Sequence, residues 1–133
     1  MPLELGIMGS ASCVVTEEDT ARAVGSGGVD VMSTPRLVAL MENAAKDSVA
    51  PYLDPGMTTV GTALNIQHLA ATPVGMTCTA ESTLIEIDRR RLVFEITAHD
   101  DVEVVGKGTH ERFIVDATKF VNKCNDKKVR KPL

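Results

Sequence analysis

Three residue types in this chain interrupt stretches that are otherwise apolar, and each could carry chemistry. Glu42 falls within a stripe formed by Val38, Met41, Ala45 and Val49, which recur at helical spacing. A carboxylate so placed loses hydration, so it calls for a partner charge or a chemical task. It could be a catalytic base, a rim residue reaching water, or one half of an ion pair with Arg112. His68 shares strand parity with Val60, Leu64, Ile66 and Ala70, which points its imidazole among apolar side chains. Alone it reads as a hydrogen-bonded core histidine. Together with Glu42 it could act as a general acid–base unit. Thr34 opens the helix that carries Glu42; its hydroxyl could be a nucleophile, although its spacing favours an N-cap.

Acyl transfer also needs a donor for the developing oxyanion. Gly61, within Thr59-Val60-Gly61-Thr62, offers a backbone N–H where a ligand could approach closely, or it marks a bend in a curled sheet. Gly106 and Gly108 carry the same two readings. His110 and Arg112 share their parity, and His110 is open to a second acid–base role, a core role or a dimer contact. No GxGxxG, Walker or GxSxG motif occurs, and Arg89-Arg90-Arg91 at a turn reads as a solvated charge run.

The elements that must position these side chains are legible in outline. Residues 1–12 read as a loose lead-in, and Cys13 to Val24 as a weakly alternating first strand. Gly25-Ser26-Gly27-Gly28 reads as a mobile stretch within the domain. The spacing then predicts a helix over about 35–50, opened by Ser33 or Thr34 with Pro35 and closed by Pro51 and Asp54-Pro55-Gly56. Four strands follow: Thr58 to Ala71, Met76 to Ile87, a cleanly alternating run around Leu92 to Ala98, and Val102 to Asp116. A short helix from Thr118 to Asn125 ends the pattern. The three short connections between strands predict antiparallel neighbours. One helix that must bury its stripe against a curled antiparallel sheet is an α+β arrangement. It forms a single domain over 1–133, with a basic tail at 123–133.

Composition removes several function classes. Aromatic residues make up 3% and the net charge is −4, which argues against nucleic acid as a partner, since stacking and phosphate neutralisation need aromatic and cationic surfaces. In the tail, Lys123, Lys127, Lys128, Arg130 and Lys131 are set against Asp126 alone. Such a patch could attract a phosphorylated nucleotide such as coenzyme A, or be a solvated terminus. Cys13, Cys78 and Cys124 are odd in number and widely spaced without a CxxC pair, which predicts reduced thiols, a cytoplasmic location and no metal site. No secretory leader and no run of about 18 apolar residues is found, so no membrane association is expected.

From Ser33-Thr34-Pro35-Arg36-Leu37 through Met41-Glu42-Asn43-Ala44-Ala45 the chain resembles the fluoroacetyl-CoA thioesterase family. The likeness returns at Thr59-Val60-Gly61-Thr62, at His68, at Ala71-Thr72-Pro73, at Asp88-Arg89-Arg90-Arg91-Leu92, at Ala98-His99-Asp100 and at Gly108-Thr109-His110-Glu111-Arg112. It covers about residues 10–120, and the separations from Thr34 to Glu42 (8 residues) and from Glu42 to His68 (26 residues) match that family. The resemblance implies a hotdog fold, a homodimer and hydrolysis of a short-chain acyl-CoA thioester, with coenzyme A as part of the substrate and no separate cofactor. It implies a triad-like site of Thr34, Glu42 and His68, with Gly61 lining the oxyanion position and Arg112 in support. Under it Glu42 would act as base or as nucleophile, His68 would move protons and activate water, and Thr34 would orient the site. The fluoroacetate-specific member that defines the family has an aromatic lid just before the helix. Here residues 24–31 contain no phenylalanine, so the reaction class carries over and the acyl group is left open. A non-catalytic acyl-CoA binding or sensing protein on the same fold is the alternative; a hotdog dehydratase lacks its accompanying motif.

Overall fold

The computed structural model describes residues 2–133. In chain order it contains β1 (Met8–Val14), α1 (Ala21–Val24), α2 (Thr34–Val49), β2 (Met57–His68), β3 (Thr77–Asp88), β4 (Arg91–His99), β5 (Val104–Asp116) and α3 (Ala117–Asn125). The five strands make one antiparallel sheet in the order β1-β3-β4-β5-β2. The helix α2 buries Leu37, Leu40, Met41, Ala44, Ala45 and Val49 against Leu84, Leu92, Phe94 and Ile96 of the sheet. Those side chains form one core, and removing a large one such as Phe94 costs about 3–5 kcal/mol in comparable interiors. The result is a curled sheet wrapped around one long helix, the hotdog arrangement.

The chain ahead of α2 differs from its sequence reading. Residues 8–12 are not a loose lead-in; with Cys13 and Val14 they form β1, paired along its length with β3 from Met8↔Thr83 to Val14↔Thr77. Nor does a strand run from Cys13 to Val24, where the chain makes a 3-10 turn (Glu17–Asp19) and α1 instead. The inward positions of β1 are Gly9, Ala11 and Cys13, too small to give an apolar signal. Small residues are needed there: a Cβ on Gly9 would lie 2.4 Å from Ser48 Cβ and 2.5 Å from the Ala44 carbonyl of α2. The glycine-rich stretch expected to be mobile is tied into a loop, with Ser26 and Gly27 N–H donating to the Ala21 carbonyl. Arg22 closes it through Asp30 (2.9 Å) and the Gly28 carbonyl (2.7 Å).

Two further differences bear on the site. The connection after β2 is short, yet β2 and β3 are not neighbours. Pro73 bridges Val31 and the chain crosses the end of the sheet, leaving β2 at the far edge beside β5. A register shift between Gly61 and Ala63 also reverses the parity of β2. Before the bulge Thr59 and Gly61 face α2 together with Arg112; beyond it Ile66 and His68 do. Val60 therefore does not share a face with His68, because one extra residue in a strand flips every side chain that follows. At the other end of the sheet Asp100 accepts from Val102 N–H (2.8 Å), Glu103 N–H (3.0 Å) and the buried Thr72 hydroxyl (3.0 Å), pinning the β4–β5 loop to the crossover. Of the arginine run, Arg91 is not simply solvated but pairs with Glu86 and Glu111. Residues 126–133 follow α3 as an exposed tail.

Candidate active site

At the start of α2 two adjacent hydroxyls divide two tasks. Ser33 is the N-cap, its Oγ accepting the Arg36 N–H at 3.1 Å. The Thr34 hydroxyl is thereby released from capping and lies 2.7 Å from His68 Nδ1. The expectation that Thr34 caps the helix is thus corrected by one residue, and its cause is the neighbouring serine. His68 closes β2 at the mouth of a depression of about 300 Å³ lined also by Thr34, Leu69, Ala70 and Ala71. Its Nε2 is shielded from solvent and has no hydrogen-bond partner among the described residues. Burial pushes the His68 pKa below its ordinary 6.5, partly opposed by the Ala70 backbone. At neutral pH the imidazole is therefore an uncharged proton acceptor hydrogen-bonded to an alcohol.

A second locus sits further along α2. The Glu42 carboxylate lies 3.7 Å from Arg112 Nη1, on the wall of another depression of about 300 Å³ lined by Ala39, Asn43 and Lys46. Gly61 passes beneath it, and a Cβ there would come within 2.7 Å of Glu42 Oε2. The strand approaches the carboxylate this closely because the residue is glycine. Arg112 is 5% exposed and is held on three sides: Nε donates to Thr59 Oγ1 (2.8 Å), Nη2 to the Thr59 carbonyl (2.9 Å) and Nη1 to His110 Nε2 (3.1 Å). His110 is 1% exposed, which places it in the core rather than at a surface contact.

The structure thus joins Thr34 to His68, and Glu42 to Gly61 and Arg112, but keeps the two groups apart within one chain. Eight residues of helix separate Thr34 from Glu42, a rise of about 12 Å. Seven residues of strand separate Gly61 from His68, about 23 Å. Sequence reasoning missed the part of His110 in holding Arg112; the signal available was their spacing of two on one strand, which puts both on the same face. Among the described residues, no group of three or more His, Cys, Asp and Glu side chains could hold a metal ion. Among the described residues, too, no helix is long and apolar enough to cross a membrane.

Comparison with known proteins gives a consistent picture. The profile of the fluoroacetyl-CoA-specific thioesterase family matches residues 15–118. A fluoroacetyl-CoA thioesterase from Streptantibioticus cattleyicolor is 43% identical over 98 residues, 74% of this chain and 70% of that protein. A solved fluoroacetyl-CoA thioesterase superposes with a TM-score of 0.90 at 34% identity, over 99% of this chain and 100% of the other. A variant of the fluoroacetyl-CoA-specific enzyme in complex with fluoroacetate and CoA gives 0.84 at 36% identity, covering 89% and 99%. A Thermus thermophilus member of the thioesterase superfamily gives 0.89 at 26% identity, covering 97% and 96%.

Proposed function

The chain belongs to the fluoroacetyl-CoA-specific thioesterase family, and from that premise we propose that it hydrolyses a short-chain acyl-CoA thioester to free acid and coenzyme A. It is a thioester hydrolase. The observation that carries the reading is the Thr34–His68 contact: a neutral imidazole aligned by a hydroxyl that the helix does not need for capping. In the proposed reaction His68 removes a proton from water as its oxygen attacks the thioester carbonyl carbon. The C–S bond then breaks and the proton passes to the departing CoA thiolate. Glu42 supplies the carboxylate, either as the base that takes the water proton in place of His68, or as a nucleophile that attacks the carbonyl carbon and expels the CoA thiolate before His68 takes the proton of the water that hydrolyses the acyl–Glu42 intermediate. Gly61 lines the oxyanion position and Arg112 stands behind Glu42. Coenzyme A enters as part of the substrate and no cofactor is invoked. The loop before α2 exposes Val24 and Val29 and carries no aromatic side chain, so we propose no selection for a fluorinated acyl group of the kind an aromatic lid would supply.

The separation of the two loci supports a homodimer. β2 is a twelve-residue edge strand whose outer hydrogen-bonding groups have no strand beside them among the described residues. Antiparallel pairing of two such edges about Leu64 and Asn65 would set Gly61 of one chain against His68 of the partner subunit. Each complete site would then take Glu42 from one chain and Thr34 and His68 from the other. Three free cysteines suit a reducing compartment, and we assign the protein to the cytoplasm.

Thiol release from a panel of short acyl-CoAs tests the reaction. Turnover that falls at least about 100-fold in His68→Ala, the scale of lost acid–base catalysis, supports it. Rates at the uncatalysed background with saturable acyl-CoA binding would favour a sensing protein instead. Mixing subunits of Glu42→Ala and His68→Ala tests the shared site: recovery of about a quarter of wild-type activity is expected from random pairing, and none if each chain is self-sufficient.

A further inference from the structure

His110 lies within β5 between two partners of fixed character, and the thioesterase reading gives it no task. The Nη1 group of Arg112 is 3.1 Å from its Nε2, and a guanidinium can only donate. The Ala63 carbonyl is 2.9 Å from its Nδ1, and a carbonyl can only accept. One form of the ring meets both demands: the neutral imidazole with its proton on Nδ1. A second proton would have to sit on Nε2 and point at an N–H of Arg112. Burial pushes the His110 pKa below its ordinary 6.5; the Arg112 charge adds to this, and the Ala63 carbonyl and the Glu42 charge oppose it.

The guanidinium it anchors has two edges. Thr59 holds the Nε–Nη2 edge through its hydroxyl and its carbonyl. The Nη1 end points towards Glu42, and His110 is the acceptor that fixes it. The ring is held at both nitrogens, by Ala63 and by Arg112, and Phe94 stands beside it at 6.3 Å between centroids.

We propose that His110 is a positioning residue for the hydrolysis: as a single neutral tautomer it anchors the Nη1 end of Arg112 and so fixes the Glu42 carboxylate over Gly61. It touches no substrate itself. The inference rests on the thioesterase reading and adds to it a residue whose effect runs entirely through Arg112.

The test compares three substitutions with the full-length wild type. Phe in His110→Phe keeps the ring and removes both nitrogens; Gln in His110→Gln can still accept from Arg112; Asn in His110→Asn can still donate to Ala63 but falls short of Arg112. The expected result is a kcat about 10- to 100-fold lower in His110→Phe and His110→Asn, the scale of a reacting group displaced by about 1 Å. KM should stay within about twofold, and His110→Gln should recover most of the rate. In parallel, ¹⁵N spectra of the wild type should show a protonated Nδ1 and a bare Nε2, with an Arg112 Nη1–H signal that weakens in His110→Phe. Where His110→Phe does not fold, the Gln–Asn pair carries the comparison. Equal loss in Gln and Asn, wild-type kcat in all folded variants, or a proton found on Nε2 would each overturn the proposal. Absence of turnover in the wild type sinks the thioesterase reading and the positioning role with it, and the ¹⁵N signals then decide whether the anchor itself exists.

Discussion

The Thr34–His68 locus and the Glu42–Arg112 locus share the helix α2, and β2 passes both at His68 and at Gly61, yet their surroundings differ in kind. At the first, a neutral ring meets one hydroxyl at the rim of a depression, and one of its nitrogens is left without a partner. At the second, a buried cation is gripped by three hydrogen bonds and faces a carboxylate across a strand thinned to glycine. A group that must gain and lose protons works best where few bonds commit it to one state. A group that must hold position under a charge works best where its support is over-determined. In the proposed reaction the contrast is therefore between a movable proton and an immovable charge.

The largest test of that contrast is Glu42→Gln. It keeps the shape but leaves the Arg112 cation buried without its counter-charge, so kcat should fall about 1000-fold while the fold is also strained. Steady-state rates on the best acyl-CoA, with thermal unfolding alongside, check both effects; a rate within tenfold of wild type would remove Glu42 from the reaction. Next in size is Thr34→Val, which removes the partner of His68 but not the cap. About a tenfold loss of kcat is expected, with the unfolding midpoint nearly unchanged. The pH profile sharpens the same locus. Because burial lowers the His68 pKa, the neutral ring persists below pH 6.5, and the acid limb of kcat/KM should fall only at lower pH. A limb centred above 6.5 would contradict that. The smallest effect on rate belongs to Asp100→Asn, whose side chain bonds to Thr72, Val102 and Glu103 and to no residue of either locus. Burial disfavours the Asp100 charge, but its bonds from Val102, Glu103 and Thr72 outweigh this and hold its pKa below the ordinary carboxylate value. Weakening those bonds should cost about 1–3 kcal/mol, lowering the midpoint by roughly 5 °C, with kcat within about twofold of wild type.

Legibility followed the size of the inward side chains. The helix was plain because Pro35 and a stripe of large residues mark it, and it was observed at Thr34–Val49 within a residue of expectation. β1 was hidden because its buried face is Gly9, Ala11 and Cys13, whose smallness is what lets α2 approach. The strands β3, β4 and β5 were found, joined by tight turns, whereas the crossover after β2 has no local signature: its course is fixed by the Pro73–Val31 bridge, a contact distant in sequence. At the site, Glu42, His68 and Gly61 stood out as pattern breakers. Their division into two loci did not, although eight residues of helix already separate Thr34 from Glu42 by more than a side chain can reach. The parity argument for β2 failed at Val60 because the bulge beside Gly61 adds a residue that hydropathy does not reveal.

The pair Ser33-Thr34 has a consequence for how such a site can change over generations. With the cap secured by Ser33, the hydroxyl at position 34 owes nothing to folding. A lineage can therefore try other side chains at Thr34 without first acquiring a compensating mutation elsewhere, and chemistry at this position can drift on its own clock. Glu42 has no such independence, since Arg112, His110, Thr59 and Gly61 are all fitted around it. Changes at the start of the helix should therefore alter the rate with little effect on stability, whereas changes at Glu42 alter both.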